Sequence, residues 1–292
     1  MLAKCRRFFS DRGILEVDCP ILGKEAVVDA HIDLIPATYG GKQSCYLHSS
    51  PEAGMKRLLA EGIGDIYQLS HVFRDGELGP KHNPEFMMAE WYRTGLAFGE
   101  MIDETCDFIR LFLGSMPQET LTYRQAFLEY AGIDPNNASE KQLRDLVPAH
   151  SGVQTRDDLL NIVLGLKVEP RLGQNKLTVI TDYPPSQAAL AKVENGTARR
   201  FEVYCEALEL ANGYDELADA RAQEQRFVEA NELRKKMGKK TLPVDRNFLN
   251  ALKNGLPPCC GVAVGFDRLM MLRLGKNEID EIVPFPLSIA AN

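Results

Sequence analysis

No run of uninterrupted apolar residues reaches the ~18 needed to cross a bilayer, so a membrane span is not expected. Met1-Leu2-Ala3-Lys4-Cys5-Arg6-Arg7 lacks the apolar core of a secretory signal. No C-x-x-C spacing occurs among the seven cysteines, and Cys259-Cys260 are adjacent, a poor geometry for a disulfide. Neither a zinc knuckle nor a disulfide framework fits, and the expectation is a reduced, cytoplasmic protein whose cysteines are small core residues. Basic charge is also in short supply. Lys and Arg number 34 against 41 Asp and Glu, a net charge of −7, which argues against a protein built mainly to grip a polyanion. Repeats, low-complexity linkers and clean composition breaks are all missing, so 1–292 is expected to form one domain. What is present is ordinary: 45% hydrophobic and 26% charged residues, enough to bury a sizeable core.

Periodicity places the elements. Leu2, Cys5, Phe8 and Phe9 share a helical face that ends at Asp11-Arg12-Gly13, and Ile14 to Val17 reads as a strand running into Pro20. Cys45 to His48 is a strand, and Ser50-Pro51-Glu52 opens a helix with Ser as cap and Pro at the first helical position. Asp65 to Phe73 and Phe86 to Tyr92 are strands around a polar loop. Phe98 to Phe112 keeps a 3.6-residue period, and Leu121 to Leu166 continues as helix, broken near Pro135 and at Pro148-Ala149-His150-Ser151-Gly152. Leu177 to Ile180 is a strand; Arg200 to Cys205 and Leu208 to Asn212 form a hairpin turning at Glu206-Ala207. Ala218 to Met237 is a charged helix, Gly261 to Gly265 a strand, and Phe266 to Leu274 a helix. Strands joined by hairpins and set apart from helices predict an α+β fold around an antiparallel sheet, with a helical insertion near 98–175.

Three segments carry chemistry. The first is Phe73-Arg74-Asp75-Gly76-Glu77, then His82-Asn-Pro-Glu-Phe86, ending at Glu90-Trp91-Tyr92. An arginine fork at a strand end suits phosphate, and an aromatic face on the returning strand can stack on a base. The second holds Glu202, Glu209, Asn212 and Glu216; across the hairpin, Glu202 and Glu209 share a face as a hard-cation pair would. The third, Gly261-Val-Ala263-Val-Gly265-Phe-Asp-Arg268, delivers an arginine onto the first turn of a helix from a glycine-bounded strand. Singly, each has a plainer reading: a solvated arginine, an exposed hairpin face, a core phenylalanine, glycines that permit close packing.

In this order the segments resemble motif 2, the acidic strand and motif 3 of class II aminoacyl-tRNA synthetases, and Arg6 to Pro20 resembles motif 1, which builds the dimer interface there. His82-Asn-Pro-Glu-Phe, Glu209-Leu-Ala-Asn-Gly and Gly265-Phe-Asp-Arg resemble the lysine branch. Motif 1 begins almost at Met1, so an anticodon-binding domain is not expected, and Ala263 stands where the synthetases carry glycine. With Ser49-Ser50-Pro51-Glu52, these features resemble the elongation factor P–(R)-β-lysine ligases, paralogues that activate (R)-β-lysine with ATP and transfer it to elongation factor P.

The resemblance implies roles. Arg74 would hold the α-phosphate and Arg268 the γ-phosphate end, with Phe86 on the adenine and His82 and Asn83 lining the ATP site. Leu210 and Gly265 would approach the nucleotide through their backbone, and Glu202 and Glu209 would bind Mg²⁺. Glu52, with Ser50 and Pro51, would take the amino group near the reacting carboxylate. Glu216, with Tyr92, Glu90 and Asn212, would take the distal ammonium, and Ala263 would border the amino acid. A homodimer is implied, and tRNA binding is not expected. The family pattern Arg-x-Glu is broken by Gly76, with Asp75 and Glu77 beside it, so Glu77 is the candidate substitute. Two other readings stay open: a truncated lysyl-tRNA synthetase-like enzyme, and an inactive regulatory subunit. The basic run Arg234-Lys235-Lys236 with Lys239-Lys240 is read as a contact for an acidic acceptor or as a solvated helix end.

Overall fold

The computed structural model describes residues 1–25, 27–148 and 155–290. The chain divides into two compact units, 1–97 with 216–292, and 98–215.

The first unit opens with α1 (Leu2–Ser10), which buries Cys5, Phe8 and Phe9 as its periodicity predicts. Then follow β1 (Leu15–Glu16), β2 (Leu22–Gly23), β3 (Pro36–Tyr39) and β4 (Gln43–Leu47); the last three make a small antiparallel sheet in the order β2-β4-β3. Next come α2 (Glu52–Ala60) and the long strands β5 (Ile66–Phe73) and β6 (Glu85–Thr94), paired antiparallel from Ile66↔Tyr92 to Phe73↔Glu85. Phe9 stacks on Tyr67 at 4.2 Å and packs on the buried Trp91 at 5.2 Å, pinning α1 to this sheet.

The second unit holds α3 (Phe98–Leu113), β7 (Gln118–Thr122), α4 (Tyr123–Tyr130), α5 (Glu140–Arg144) and α6 (Arg156–Val163), which runs into a π-helical turn at Leu164–Val168. Capping boxes start three of these helices, at Thr122/Gln125, Ser139/Gln142 and Thr155/Asp158. Then come β8 (Leu177–Tyr183), β9 (Val193–Glu194), β10 (Thr197–Cys205) and β11 (Leu208–Asp215). Its strands lie in the order β11-β10-β8-β7, with β9 beside β10.

The chain returns to the first unit with α7 (Ala220–Lys236), α8 (Arg246–Gly255), β12 (Cys259–Gly265) and α9 (Phe266–Leu274). β12 pairs antiparallel with β6, completing the order β1-β5-β6-β12. The fold is α+β, and each unit's sheet is antiparallel except at one edge, where β1 lies parallel to β5 and β7 parallel to β8. Two expectations are corrected. Leu121 and Thr122 lie in β7 rather than a helix, because Thr122 is the N-cap of α4 and its extended backbone belongs to the strand before it. Helix α2 starts at Glu52 with Pro51 as N-cap, while Ser50 Oγ still accepts from Glu52 N–H. Of the expected break at Pro148 to Gly152, residues 149–152 lie outside the described residues.

The β10–β11 hairpin turns at Glu206-Ala207, as expected, with φ of 50° and 59°. Such left-handed pairs are normally Asn-Gly. Here the strain is held by the preceding loop: Glu206 N–H donates to Gly173 O and Ala207 N–H to Leu172 O. Gly173 has φ 72°, and a Cβ there would lie 2.5 Å from Cys205 Cα. Gly173→Ala is therefore expected to destabilise the protein by at least about 2 kcal/mol, since forced overlap alone costs about 1–3 kcal/mol. Thermal unfolding checks this; an unchanged midpoint would contradict the packing described.

Candidate active site

In the first unit, cross-strand register puts Gly261, Ala263 and Gly265 of β12 opposite Tyr92, Glu90 and Met88 of β6. Directly opposed residues share a sheet face, so Ala263 lies on the face that carries Glu90, Tyr92 and Phe86.

At one end of this face the Arg74 guanidinium stands 5.2 Å over the Phe86 ring, and its buried Nε has no hydrogen-bond partner. Gly76 has φ 76°, which explains a glycine where the family has an acid: the loop turns there in the left-handed region. Glu77 reaches within 3.8 Å of Arg74. Asp75 instead donates its backbone N–H to Asp33 O. Arg268, on the first turn of α9, donates to His82 Nε2 at 2.6 Å and to Lys81 O at 3.4 Å. Because a guanidinium only donates, Nε2 is the acceptor and the His82 proton resides on Nδ1. Burial, then the Arg268 charge, hold this imidazole below its usual pKa and so neutral. Asn83 is spent on structure: its amide donates to Glu85 O at 2.5 Å and accepts from Leu287 N–H at 3.1 Å.

At the other end lies a buried charged cluster. Lys56 of α2, 1% exposed, pairs with Glu52 at 2.5 Å and Glu216 at 2.6 Å. Ser50 Oγ donates to Glu90 Oε2 and the Tyr92 hydroxyl to Glu90 Oε1, at 2.7 and 2.8 Å. Glu216 Oε1 is buried without a hydrogen-bond partner. Burial, then the Glu52 charge, push the Glu90 carboxyl up to about 7. Burial alone would lower the Lys56 ammonium, but Glu216 and Glu52 outweigh it and keep Lys56 charged. A Cβ on Gly261 would lie 2.3 Å from Tyr92 Cε1 and 2.4 Å from Glu216 Oε1, so only glycine fits. Pro51, the N-cap of α2, sets Glu52 at the helix N-terminus, where a carboxylate is favoured.

In the second unit, β10 and β11 carry Glu202 opposite Asn212. Glu209 pairs with Tyr204, because the register shifts after Val203. That bulge at Leu210 keeps Glu209 and Asn212 on one face although they are three residues apart. Glu202 is buried and heavily engaged: Arg200 donates to Oε1, and the hydroxyls of Tyr183 and Tyr204 both donate to Oε2. Asn212 Oδ1 is buried without a partner, and Glu209 is partly exposed. Among the described residues, no group of three or more His, Cys, Asp or Glu is placed to hold a metal by itself. Mg²⁺ is commonly held by one or two carboxylates plus phosphate oxygens, and Glu209 with the remaining lone pair on Glu202 Oε1 fits that mode.

The basic run is not a free patch. Arg234 is buried and donates to Asp29 O, Ile32 O and Asp33, while Lys239 pairs with Asp33 at 2.8 Å. For Arg234, neither expected reading holds, because its guanidinium fastens α7 to the 29–33 loop. All seven cysteines are free and buried, as expected, and burial pushes Cys5 and Cys106 up to about 12. The second unit also has a cavity of about 400 Å³ lined by Arg124, Asp182, Glu194 and Arg199 among others. Its mixed charges select no single ligand class, and none of the expected site residues lines it.

Sequence reasoning missed Lys56, Arg200 and Asp267. Glu52 and Lys56 are an i, i+4 acid–base pair on an expected helix, a signal that reads equally as a surface pair. Asp267 accepts from Met87 N–H at 2.8 Å and ties α9 to β6.

A glycine-bounded strand delivering Arg268 beside His82, on an antiparallel sheet with a buried acidic face, defines a synthetase-type catalytic domain. The chain belongs to the class II tRNA synthetase family (D, K and N), which it matches over residues 1–288. It is 42% identical, over 99% of its length and 94% of theirs, to proteins named elongation factor P–(R)-β-lysine ligase from Salmonella typhi, Salmonella paratyphi B and Salmonella gallinarum. No described helix is long and apolar enough to cross a membrane.

An ammonium ligand needs Glu90 ionised. Between pH 6 and 8, kcat/KM for the amino acid is therefore expected to rise at least about tenfold, following the ionised fraction of Glu90, which titrates near 7, with Glu216 adding to the rise. Glu90→Gln should make the profile shallower and leave the titration of Glu216, which burial pushes up to about 8. A flat wild-type profile would remove Glu90 from the site.

Proposed function

We propose that this protein activates (R)-β-lysine with ATP as an adenylate and transfers the β-lysyl group to a lysine side chain of elongation factor P. The observation that carries the substrate class is the buried cluster of Glu52, Glu90 and Glu216, with one protein ammonium among them and Glu216 Oε1 unpartnered. A buried acceptor without a donor is costly, and an ammonium-bearing ligand supplies one. The names carried by relatives at 42% identity support the acceptor and the β-isomer.

In this reading the substrate carboxylate attacks the α-phosphorus, the bond to the leaving pyrophosphate breaks, and the acceptor amine then displaces AMP from the acyl carbon. Arg74, whose Nε lacks a partner, takes the α-phosphate; Arg268 takes the γ-phosphate end, steadied by His82. Phe86 exchanges its Arg74 contact for the adenine, with Asp75, Gly76 and Glu77 shaping the loop and Glu77 in place of the missing acid. Asn83 acts by fixing that loop. The backbone of Leu210 and that of Gly265 would each approach the nucleotide. Glu52, with Ser50 and Pro51, receives the amino group near the reacting carboxylate, and Glu216, Glu90, Tyr92 and Asn212 receive the distal one. Glu209 and Glu202 hold Mg²⁺, which when bound stabilises charge on the phosphate oxygens. The Ala263 methyl fills volume that an α-amino group would need, and so favours the β-isomer.

Exposed Leu15, 51% accessible, supports a homodimer through the segment 6–20. Seven buried thiols support a cytoplasmic setting, and the net charge of −7 supports a protein acceptor over tRNA. The test supplies labelled (R)-β-lysine and ATP with either elongation factor P or lysine tRNA. Label should enter elongation factor P, α-lysine should be used less well, and Ala263→Gly should narrow that gap. Efficient tRNA charging with α-lysine would restore the truncated-synthetase reading, and no adenylate formation at all would favour the inactive subunit.

A further inference from the structure

Lys56 sits at the heart of the cluster, and the proposed reaction gives its charge no part. Its ammonium is enclosed by Glu52 on its own helix and Glu216 ahead of α7, with the rings of Tyr92 and Phe248 each 5.9 Å away. Around it, α2 contributes Glu52, β6 contributes Glu90 and Tyr92, and the segment before α7 contributes Glu216. β5 adds Gln68 opposite Glu90, α8 adds Phe248, and β12 adds Gly261, which has no side chain. Cys19 lies close enough to Glu90 to feel its charge, but burial holds that thiol up to about 11 and therefore neutral. Among the described residues, three carboxylates thus face a single cation.

Burying an ion pair seldom adds net stability, since an apolar replacement of similar shape is often as good. A fully buried lysine in such a pair therefore calls for another role. We propose that Lys56 is a positioning residue for amino-acid recognition: it clamps Glu52 to Glu216 and leaves the cluster two uncompensated negative charges, matched to a substrate with two ammonium groups. The inference rests on the proposed amino-acid site. Without the clamp, Glu52 and Glu216 repel each other or take up a proton, and neither state presents two ionised carboxylates at a fixed separation. With it, a monoammonium ligand leaves one buried charge unpaired and is rejected.

The test is ATP–pyrophosphate exchange at pH 9, above the ranges in which Glu90 and Glu216, both pushed up by burial, titrate. On the wild type, pentane-1,5-diamine should compete with (R)-β-lysine at least tenfold more strongly than pentylamine. Lys56→Met should raise the KM for (R)-β-lysine at least thirtyfold, leave the KM for ATP within threefold, and erase the diamine preference. Lys56→Gln, which keeps hydrogen-bond donors but no charge, should behave likewise and serves if the Met variant does not fold. Equal inhibition by the two amines in the wild type, or an unchanged amino-acid KM in a folded Lys56 variant, would overturn the proposal. Glu52→Gln separates the two levels: an unchanged amino-acid KM there would remove the proposed site itself, whereas a raised KM beside a silent Lys56 variant would remove only the role of Lys56.

Discussion

Much of the first unit is arranged around the cost of burying charge. Removing one partner of a buried pair typically costs about 3–5 kcal/mol, because the other is left uncompensated. Every element near Glu52, Glu90 and Glu216 bears on that cost. Helix α2 brings Lys56 one turn after Glu52; Ser50 and Tyr92 each donate to Glu90; Gly261 leaves room for Tyr92 and Glu216 to meet the strand. One acceptor, Glu216 Oε1, is left over, and the proposed ammonium ligand would supply its donor.

The end proposed for the nucleotide follows a different principle. Its side chains are held by bonds between a loop and a helix start that are far apart in sequence: Arg268 to His82, Asp267 to Met87 N–H, Asn83 to Leu287 N–H. These contacts fix α9 against β6 while leaving the Arg74 Nε unspent. The departure from the family motif at Gly76 becomes intelligible as a backbone requirement, since φ there is 76° and a non-glycine residue would be strained.

The sequence is informative where periodicity is strong. Helix α9 and the Glu206-Ala207 turn are found at their expected residues, and α3 closely so, because each has a sharp pattern or a fixed hairpin length. It is silent on β2, β3 and β9, which are too short to show alternation and exist through pairing with distant strands. Motif order singled out Arg74, His82, Phe86 and Arg268, and the structure sets Arg74 over Phe86 and Arg268 beside His82. Lys56 and Arg200 did not stand out, because a cation in sequence looks solvated until three-dimensional packing buries it beside carboxylates. Arg234 shows the same blindness in reverse, since a basic run that reads as surface supplies a buried tie.

The central claim is that the buried carboxylate cluster is where the amino acid's ammonium groups are held. Calorimetric titration of (R)-β-lysine into the wild type and into Glu216→Gln tests it without any dependence on catalysis. Loss of one charge-assisted bond, about 1.5–3 kcal/mol, predicts affinity lower by roughly ten- to hundredfold in the variant. Equal affinity in the two proteins, with both folded, would contradict the account.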